Sequence, residues 1–194
     1  MISSRKYSLN INYILKGRYI FGIFGENQKN YFTQLLYLKS DELSAAYKYF
    51  NIDKNERMGA MAILPIKWYK NFTSQFTLFG FVMHQSGEIE GLAINRTKIS
   101  SRFNVNNNLS LFGNRLHLEV SGWYQLPVIQ GLYNVESMYS TNMKISWLIP
   151  IKGLTVSFKF DDITNSYKNK VRTSIQRQNY DFNSNGGSQA IVLT

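Results

Sequence analysis

Residues 139–163, YSTNMKISWLIPIKGLTVSFKFDDI, alternate apolar and polar side chains through two runs joined by a short turn. Tyr139, Thr141, Met143, Ile145, Trp147 and Ile149 share one side; Ser140, Asn142, Lys144 and Ser146 share the other, and Leu148 breaks the rule. After the turn, Leu154, Val156, Phe158 and Phe160 oppose Thr155, Ser157, Lys159 and Asp161. Successive side chains of a pleated strand point to opposite faces, so a period of two predicts strands. Pro150-Ile151-Lys152-Gly153 supplies the turn, since Pro withholds a ladder N–H and Gly tolerates positive φ. The unit is a β-hairpin with one apolar and one polar face.

The same period recurs along the chain. Tyr7, Leu9, Ile11, Tyr13 and Leu15 alternate with Ser8, Asn10 and Asn12 before Lys16-Gly17, and a second strand starts at Arg18 and runs towards Asn27. Residues 27–44 lose the pattern and read as an excursion, with a helix conceivable over 40–49, where Asp41, Glu42 and two alanines suit one. Further strands are predicted over 47–66, 72–85, 98–111 and 115–126, with 86–95 and 127–132 as loops. The tail, 165–181, is polar and poorly patterned, and a last strand begins at Ala190. The expectation is an all-β, antiparallel up-and-down meander of about nine long strands, forming part of a transmembrane β-barrel. Residues 1–194 read as a single segment without an internal domain boundary.

Composition narrows the function classes. There is no cysteine, which excludes disulfide staples, thiolate metal sites and Cys nucleophiles. The formal charge is +10, but Lys and Arg are scattered singly through turns and polar faces, which argues against a nucleic-acid partner. Charged residues make up only 18% of the chain, against about 25% in soluble domains, and Asn, Ser, Thr and Gln take their place. No run approaches the roughly 20 apolar residues of a spanning helix. The alternation at 7–15 is likewise unlike the continuous apolar core of a signal peptide.

Alternation alone leaves open which face meets water. A soluble, lipocalin-like ligand-binding barrel buries its apolar face, whereas a membrane barrel turns that face to lipid. Strands longer than the roughly 9–11 residues that cross a bilayer, and short turns alternating with long connections, favour the membrane version. Trp68, Tyr69, Tyr139 and Trp147 fall near strand ends and are the candidate lipid-interface aromatics.

Three stretches also resemble a known family. Residues 154–165, LTVSFKFDDITN, look like the penultimate-strand pattern of TonB-dependent receptor barrels, an alternating run ending in Asp-hydrophobic-x-Asn. Residues 49–54, YFNIDK, followed by Met58-Gly59, resemble their aromatic-x-Asn…Gly strand entry, and 122–127, GWYQLP, with Gly131 is similar to their Gly-aromatic-aromatic-Gln-x-Pro…Gly segment. The resemblance implies the C-terminal outer-membrane β-barrel portion of a TonB-dependent receptor, of the outer membrane protein beta-barrel family. Such barrels have about 22 strands. It further implies an outer-membrane location, a role in substrate uptake, and, as partners, outer-membrane lipid, the rest of the barrel, a plug domain and TonB-type energy coupling. No plug-like sequence is recognisable, and the chain stops at Val192-Leu193-Thr194, without the terminal aromatic residue of family barrels, so a fragment is expected. An adhesion or structural barrel without transport is a further alternative.

No catalytic constellation emerges, and no enzyme activity, cofactor or metal is expected. His84 and His117 are isolated, and His117 is expected to hydrogen-bond on the polar face. Asp161 and Asp162 are adjacent, so on a strand they point apart and cannot act as an acid/base pair. Asp162 is expected to end its strand by binding backbone N–H groups. Glu88 and Glu90 beside Gly87 and Gly91 read as solvated loop charge.

Overall fold

A computed structural model describes residues 3–38, 45–89, 91–131, 133–151, 154–175, 178–185 and 190–193. Its strands are β1 (Arg5–Leu15), β2 (Tyr19–Leu38), β3 (Ala45–Tyr69), β4 (Phe72–Ile89), β5 (Leu92–Leu111), β6 (Leu116–Gln125), β7 (Val128–Gln130), β8 (Tyr133–Val135), β9 (Met138–Ile149), β10 (Leu154–Asp161), β11 (Lys168–Ile175), β12 (Gln178–Asn185) and β13 (Ala190–Leu193). Nine of them form one antiparallel sheet in the order β1-β2-β3-β4-β5-β6-β9-β10-β13, and the order β12-β11-β8-β7 makes a second sheet of four. The expected all-β meander is therefore present.

Its short turns follow from local sequence. Lys16 (φ 52°) and Gly17 (φ 65°) are both left-handed, and Arg18 N–H donates to the Leu15 carbonyl at 3.2 Å. Two positive φ values match the twist of the flanking strands, as in a type I′ hairpin. Phe112, Gly113 and Asn114 are also left-handed at the β5–β6 turn. Of the Pro150–Gly153 turn, Lys152 and Gly153 lie outside the described residues.

Register then decides which side chains share a face. Tyr13 pairs with Phe21, Phe21 with Ala62, Ala62 with Leu78, Leu78 with Phe103, Phe103 with Tyr124, and Tyr124 with Tyr139. This one apolar rung starts three residues from the turn of β1 and ends ten residues from the end of β9. The climb is the stagger that tilted barrel strands require. Above and below it the pairs Ile11–Ile23, Val105–Gly122, Leu118–Ile145, Ile145–Phe158 and Phe158–Leu193 lie on the same face. The side facing away carries Asn10, Asn12, Asn104, Asn106, Lys144 and Ser157.

The irregular stretches are where expectation and structure part. The excursion expected over 27–44 is, in its described residues, paired strand: β2 and β3 continue as a ribbon to Leu38 and Ala45. Ala45–Tyr49 is strand and not helix, because its backbone pairs with Gln34–Leu38; residues 39–44 lie outside the described residues. The loop over 86–95 is a continuation of β4 and β5, which pair up to Ile89–Leu92. The loop expected over 127–132 contains β7, which pairs with β8 just beyond it, and the poorly patterned 165–181 contains β11 and the first half of β12. All these segments lie beyond the apolar band, where neither face has to be greasy. Main-chain pairing alone holds a ribbon there, so the period of two that betrays a strand is absent.

That outer end has its own small core. Ile52, Ile89 and Ile94 are buried together, with Tyr31, Phe50 and Tyr133 against them. Gln85, 2% exposed, accepts from Gly131 N–H at 2.8 Å and donates to Asn55 Oδ1 at 3.0 Å. Arg96 donates to the Gly131 carbonyl at 3.0 Å and to Asn134 Oδ1. Burial lowers the Arg96 pKa from its ordinary value, and the guanidinium stays charged because that value is so high. Together these contacts pin the β7–β8 hairpin onto β4 and β5.

Gly59 is a point of close approach on the polar-side face. It pairs with Phe24 and Phe81, and a Cβ there would meet the Gly80 carbonyl oxygen, Phe81 Cβ and the Phe24 ring. Backbone cannot yield as a flexible side chain can, so Gly59→Ala is expected to cost about 1–3 kcal/mol. Urea unfolding of folded protein in detergent checks this; an unchanged midpoint would show that the strands separate freely at this point.

Candidate functional site: the polar wall of the sheet

Strand parity brings a recess together from six strands, β1 to β6, on the polar face. Asn10, Phe24, Glu26, Arg57, Met61, Phe79, Phe81, Arg102 and Gln125 line a hollow of about 340 Å³. No two adjacent residues of one strand contribute, because every second side chain points away. Arg102 forms one side of the recess. Its guanidinium lies 4.6 Å from the Trp123 ring centre, and its Nε donates to Asn104 Oδ1 at 3.1 Å. Trp123 in turn meets Tyr167 edge-on at 5.9 Å.

Arg57 forms the other side. It stacks at 5.3 Å on Phe81 and donates to Glu26 Oε2 at 3.2 Å, while Lys6 donates to Glu26 Oε1 at 2.9 Å. Lys98 and Lys144 share the face by register, and Lys159 pairs with Asp161 at 2.9 Å. Gln125 is buried and held rigid, donating to Ser100 Oγ and the Ser101 carbonyl at 3.0 Å each. The wall is thus cationic, aromatic-studded and polar. Its described residues offer donors and flat rings to a solute.

Asp162 sets the loop that carries Tyr167. It is 2% exposed, left-handed at φ 47°, and its carboxylate accepts from Ser166 N–H, Ser166 Oγ and Tyr167 N–H at 3.0 Å each. Asn165, also at φ 47°, closes the turn through its N–H to the Asp162 carbonyl at 2.8 Å. The Asp-hydrophobic-x-Asn pattern is therefore a turn signature: both polar residues occupy conformations that Asp and Asn tolerate best. Asp162 acts as expected, and His117 also lies on the polar face, with Nδ1 at 3.1 Å from Ser110 Oγ. His84 Nδ1 is 3.0 Å from Thr97 Oγ1, far from His117 in register. Glu88 is exposed, and Glu90 lies outside the described residues.

The four candidate interface aromatics all sit on the outside surface. Trp68, Tyr69, Tyr139 and Trp147 are about half exposed or more, at 52%, 73%, 49% and 59%. Trp68, Tyr69 and Trp147 lie near the short turns, while Tyr139 packs against Tyr124 at the opposite end of the band. The recess residues were not singled out by sequence. Arg102 is a single member of an ordinary alternating run, Phe79 and Phe81 interrupt the alternation of 72–85, and only cross-strand register makes these residues neighbours.

The apolar face packs against no second layer among the described residues. Ile11, Ile23, Met58, Ile99 and Trp147 are all more than half exposed. In water such a band is an aggregation surface; in a bilayer it is the solvated side, with the polar face turned to a lumen. A lipocalin-like barrel would bury this band inside, and nothing here does so. Sheet, faces and loop asymmetry define the class of outer-membrane β-barrels.

The chain belongs to the outer membrane protein beta-barrel family, whose model matches residues 4–194. Its location is accordingly the outer membrane. No curated protein and no solved structure matches it.

Proposed function

We propose that this sheet is one wall of a TonB-dependent receptor-type barrel and that its polar face lines the path of an imported solute. The observation that carries the reading is the recess on that face, where Arg57 and Arg102 are held on aromatic rings at the outer half of the wall. The Trp123 ring holds Arg102 without neutralising it, whereas Arg57 shares its charge with Glu26, so Arg102 is the cation that can meet an anion and a flat group together. A solute carrying carboxylate or phosphate and an apolar surface fits this chemistry. The resemblance of 154–165, 122–131 and 49–59 to receptor barrels supports the same reading.

Topology supports a larger barrel. In the alternating sheet order, β1 and β13 run in the same sense. They cannot close antiparallel on each other, and a second copy in the same orientation would meet the same obstacle. Closure of an antiparallel barrel requires an odd number of further strands, since lipid cannot satisfy an open edge. A larger receptor barrel with a plug, coupled to inner-membrane energy, meets that need.

The test is growth of a strain lacking the gene on a panel of sole nutrient sources, complemented by the intact protein. The growth restored should vanish when the inner-membrane energy-coupling protein is deleted, and Arg102→Ala should reduce uptake severalfold at equal surface abundance. Growth that survives loss of energy coupling overturns the reading in favour of passive diffusion or a non-transport role.

A further inference from the structure

We propose that the outside of strands β1–β4 carries a specific binding site for an outer-leaflet lipid with a phosphorylated headgroup. The inference rests on the outer-membrane location and is separate from the solute path, which lies on the opposite face of the same strands.

The first observation is a hollow in the lipid-facing surface. Ile11, Tyr13, Phe21, Ile23, Ala62 and Leu78 border a depression of about 580 Å³ whose floor is lowered by Ala60 and Gly80. Next to it lies a second hollow of about 480 Å³, bordered by Tyr7, Leu9, Asn27, Glu56, Met58 and His84, with Glu26 and Arg57, which also border the polar-face recess, at its edge. The lower hollow is walled almost entirely by apolar side chains, and the upper one mixes apolar with polar groups. Stacked on one face, they form a trough that turns from greasy to polar towards the outer end.

The second observation is a row of cations at the head of this trough. Arg5 pairs with Lys29 and Lys29 with Lys54, so the three share one rung on the outside surface. Arg5 and Lys29 are exposed. The carboxylate below them, Glu56, is engaged by Lys54 at 2.8 Å and by Asn27 Nδ2 at 3.0 Å. That leaves net positive charge at the top of an apolar groove, which is complementary to an anionic headgroup with acyl chains beneath it.

Heights agree with a lipid in the outer leaflet. A strand rising about 3.4 Å per residue at a tilt near 45° gains about 2.4 Å of height per residue. Counted from the short turns, Ile11 and Ile23 stand at about 13 Å and Ala62 and Leu78 at about 20 Å. Arg5 and Lys29 reach about 27–29 Å, just above an apolar band of about 25 Å, and Lys54 stands about 10 Å higher. Chains would lie along the groove in the outer half of the bilayer, with phosphate at the Arg5–Lys29 level. Inorganic phosphate alone would forfeit the groove contacts.

Native mass spectrometry of the intact detergent-solubilised protein, titrated with lipid A, tests the site. One lipid A should be retained well beyond the statistical adducts, and its doubly dephosphorylated form should bind on the order of tenfold more weakly or worse. The Arg5→Gln/Lys29→Gln/Lys54→Gln variant should lose a similar factor. Gly80→Leu, which fills the floor where a Cβ meets open space, should weaken both lipids alike. The gel shift between heated and unheated samples confirms that each variant is folded. Equal retention of phosphorylated and dephosphorylated lipid, or indifference to the cation triple variant, overturns the proposal. Displacement of lipid A by millimolar inorganic phosphate would also overturn it, by reducing the site to a free-anion site. Because solute uptake is read separately, loss of the lipid leaves the transport reading intact, and the reverse holds as well.

Discussion

Leu78→Arg is expected to destabilise the folded barrel by about 2–4 kcal/mol, while Thr77→Arg next to it changes stability by less than about 0.5 kcal/mol. Leu78 is half exposed on the apolar rung between Ala62 and Phe103, about seven residues above the turn at 70–71 and so well inside the apolar band. A guanidinium placed there faces acyl chains, which cannot hydrate it. Thr77 lies on the polar wall between Ile63 and Asn104, where a cation meets water and Asn side chains. Urea unfolding in detergent or lipid, read by heat-dependent gel mobility, gives both numbers. A larger cost for Thr77→Arg would mean the face assignment is reversed, and equal costs would mean that neither face meets lipid.

Asp162→Ala is expected to cost about 3 kcal/mol or more, because it orphans several buried donors at once. The carboxylate holds Ser166 N–H, Ser166 Oγ and Tyr167 N–H at 3.0 Å each, and Ser140 Oγ donates to it at 3.4 Å. Alanine also tolerates the left-handed backbone poorly. Asp162→Asn keeps the shape and one acceptor oxygen, so a loss of about half that size is expected. Tyr167 rides on this loop against Trp123, and a shift in tryptophan emission should accompany the alanine variant. An unchanged unfolding midpoint would show that water replaces the carboxylate without penalty.

Within the bilayer band, the fold was close to legible. Wherever one face meets lipid and the other a lumen, the two solvents demand opposite side chains at every step, and Tyr7–Leu15 or Leu154–Asp161 display that demand directly. Outside the band the demand lapses. The residues from Tyr31 to Leu38 pair with those from Ala45 to Ile52 by main chain, and nothing in YFTQLLYL distinguishes such a ribbon from a loop. The same holds for Lys168–Ile175 and Gln178–Asn185, whose polar sequences pair with each other over eight residues. Asp162 was legible for a different reason: its role is local, set by donors four and five residues along the chain.

Sequence by itself determined the strands of the apolar band, their turns at Lys16-Gly17 and Phe112-Gly113-Asn114, and the separation of a greasy face from a polar one. These are short-range properties, decided by side-chain period and by which residues accept positive φ. Tertiary structure alone decided the register, and with it everything assembled across strands: the tilt that carries one rung from Tyr13 to Tyr139, the Arg57–Arg102 recess, and the Arg5–Lys29–Lys54 row above its trough. A shift of one residue in any ladder would leave each strand's own pattern unchanged and scatter all three.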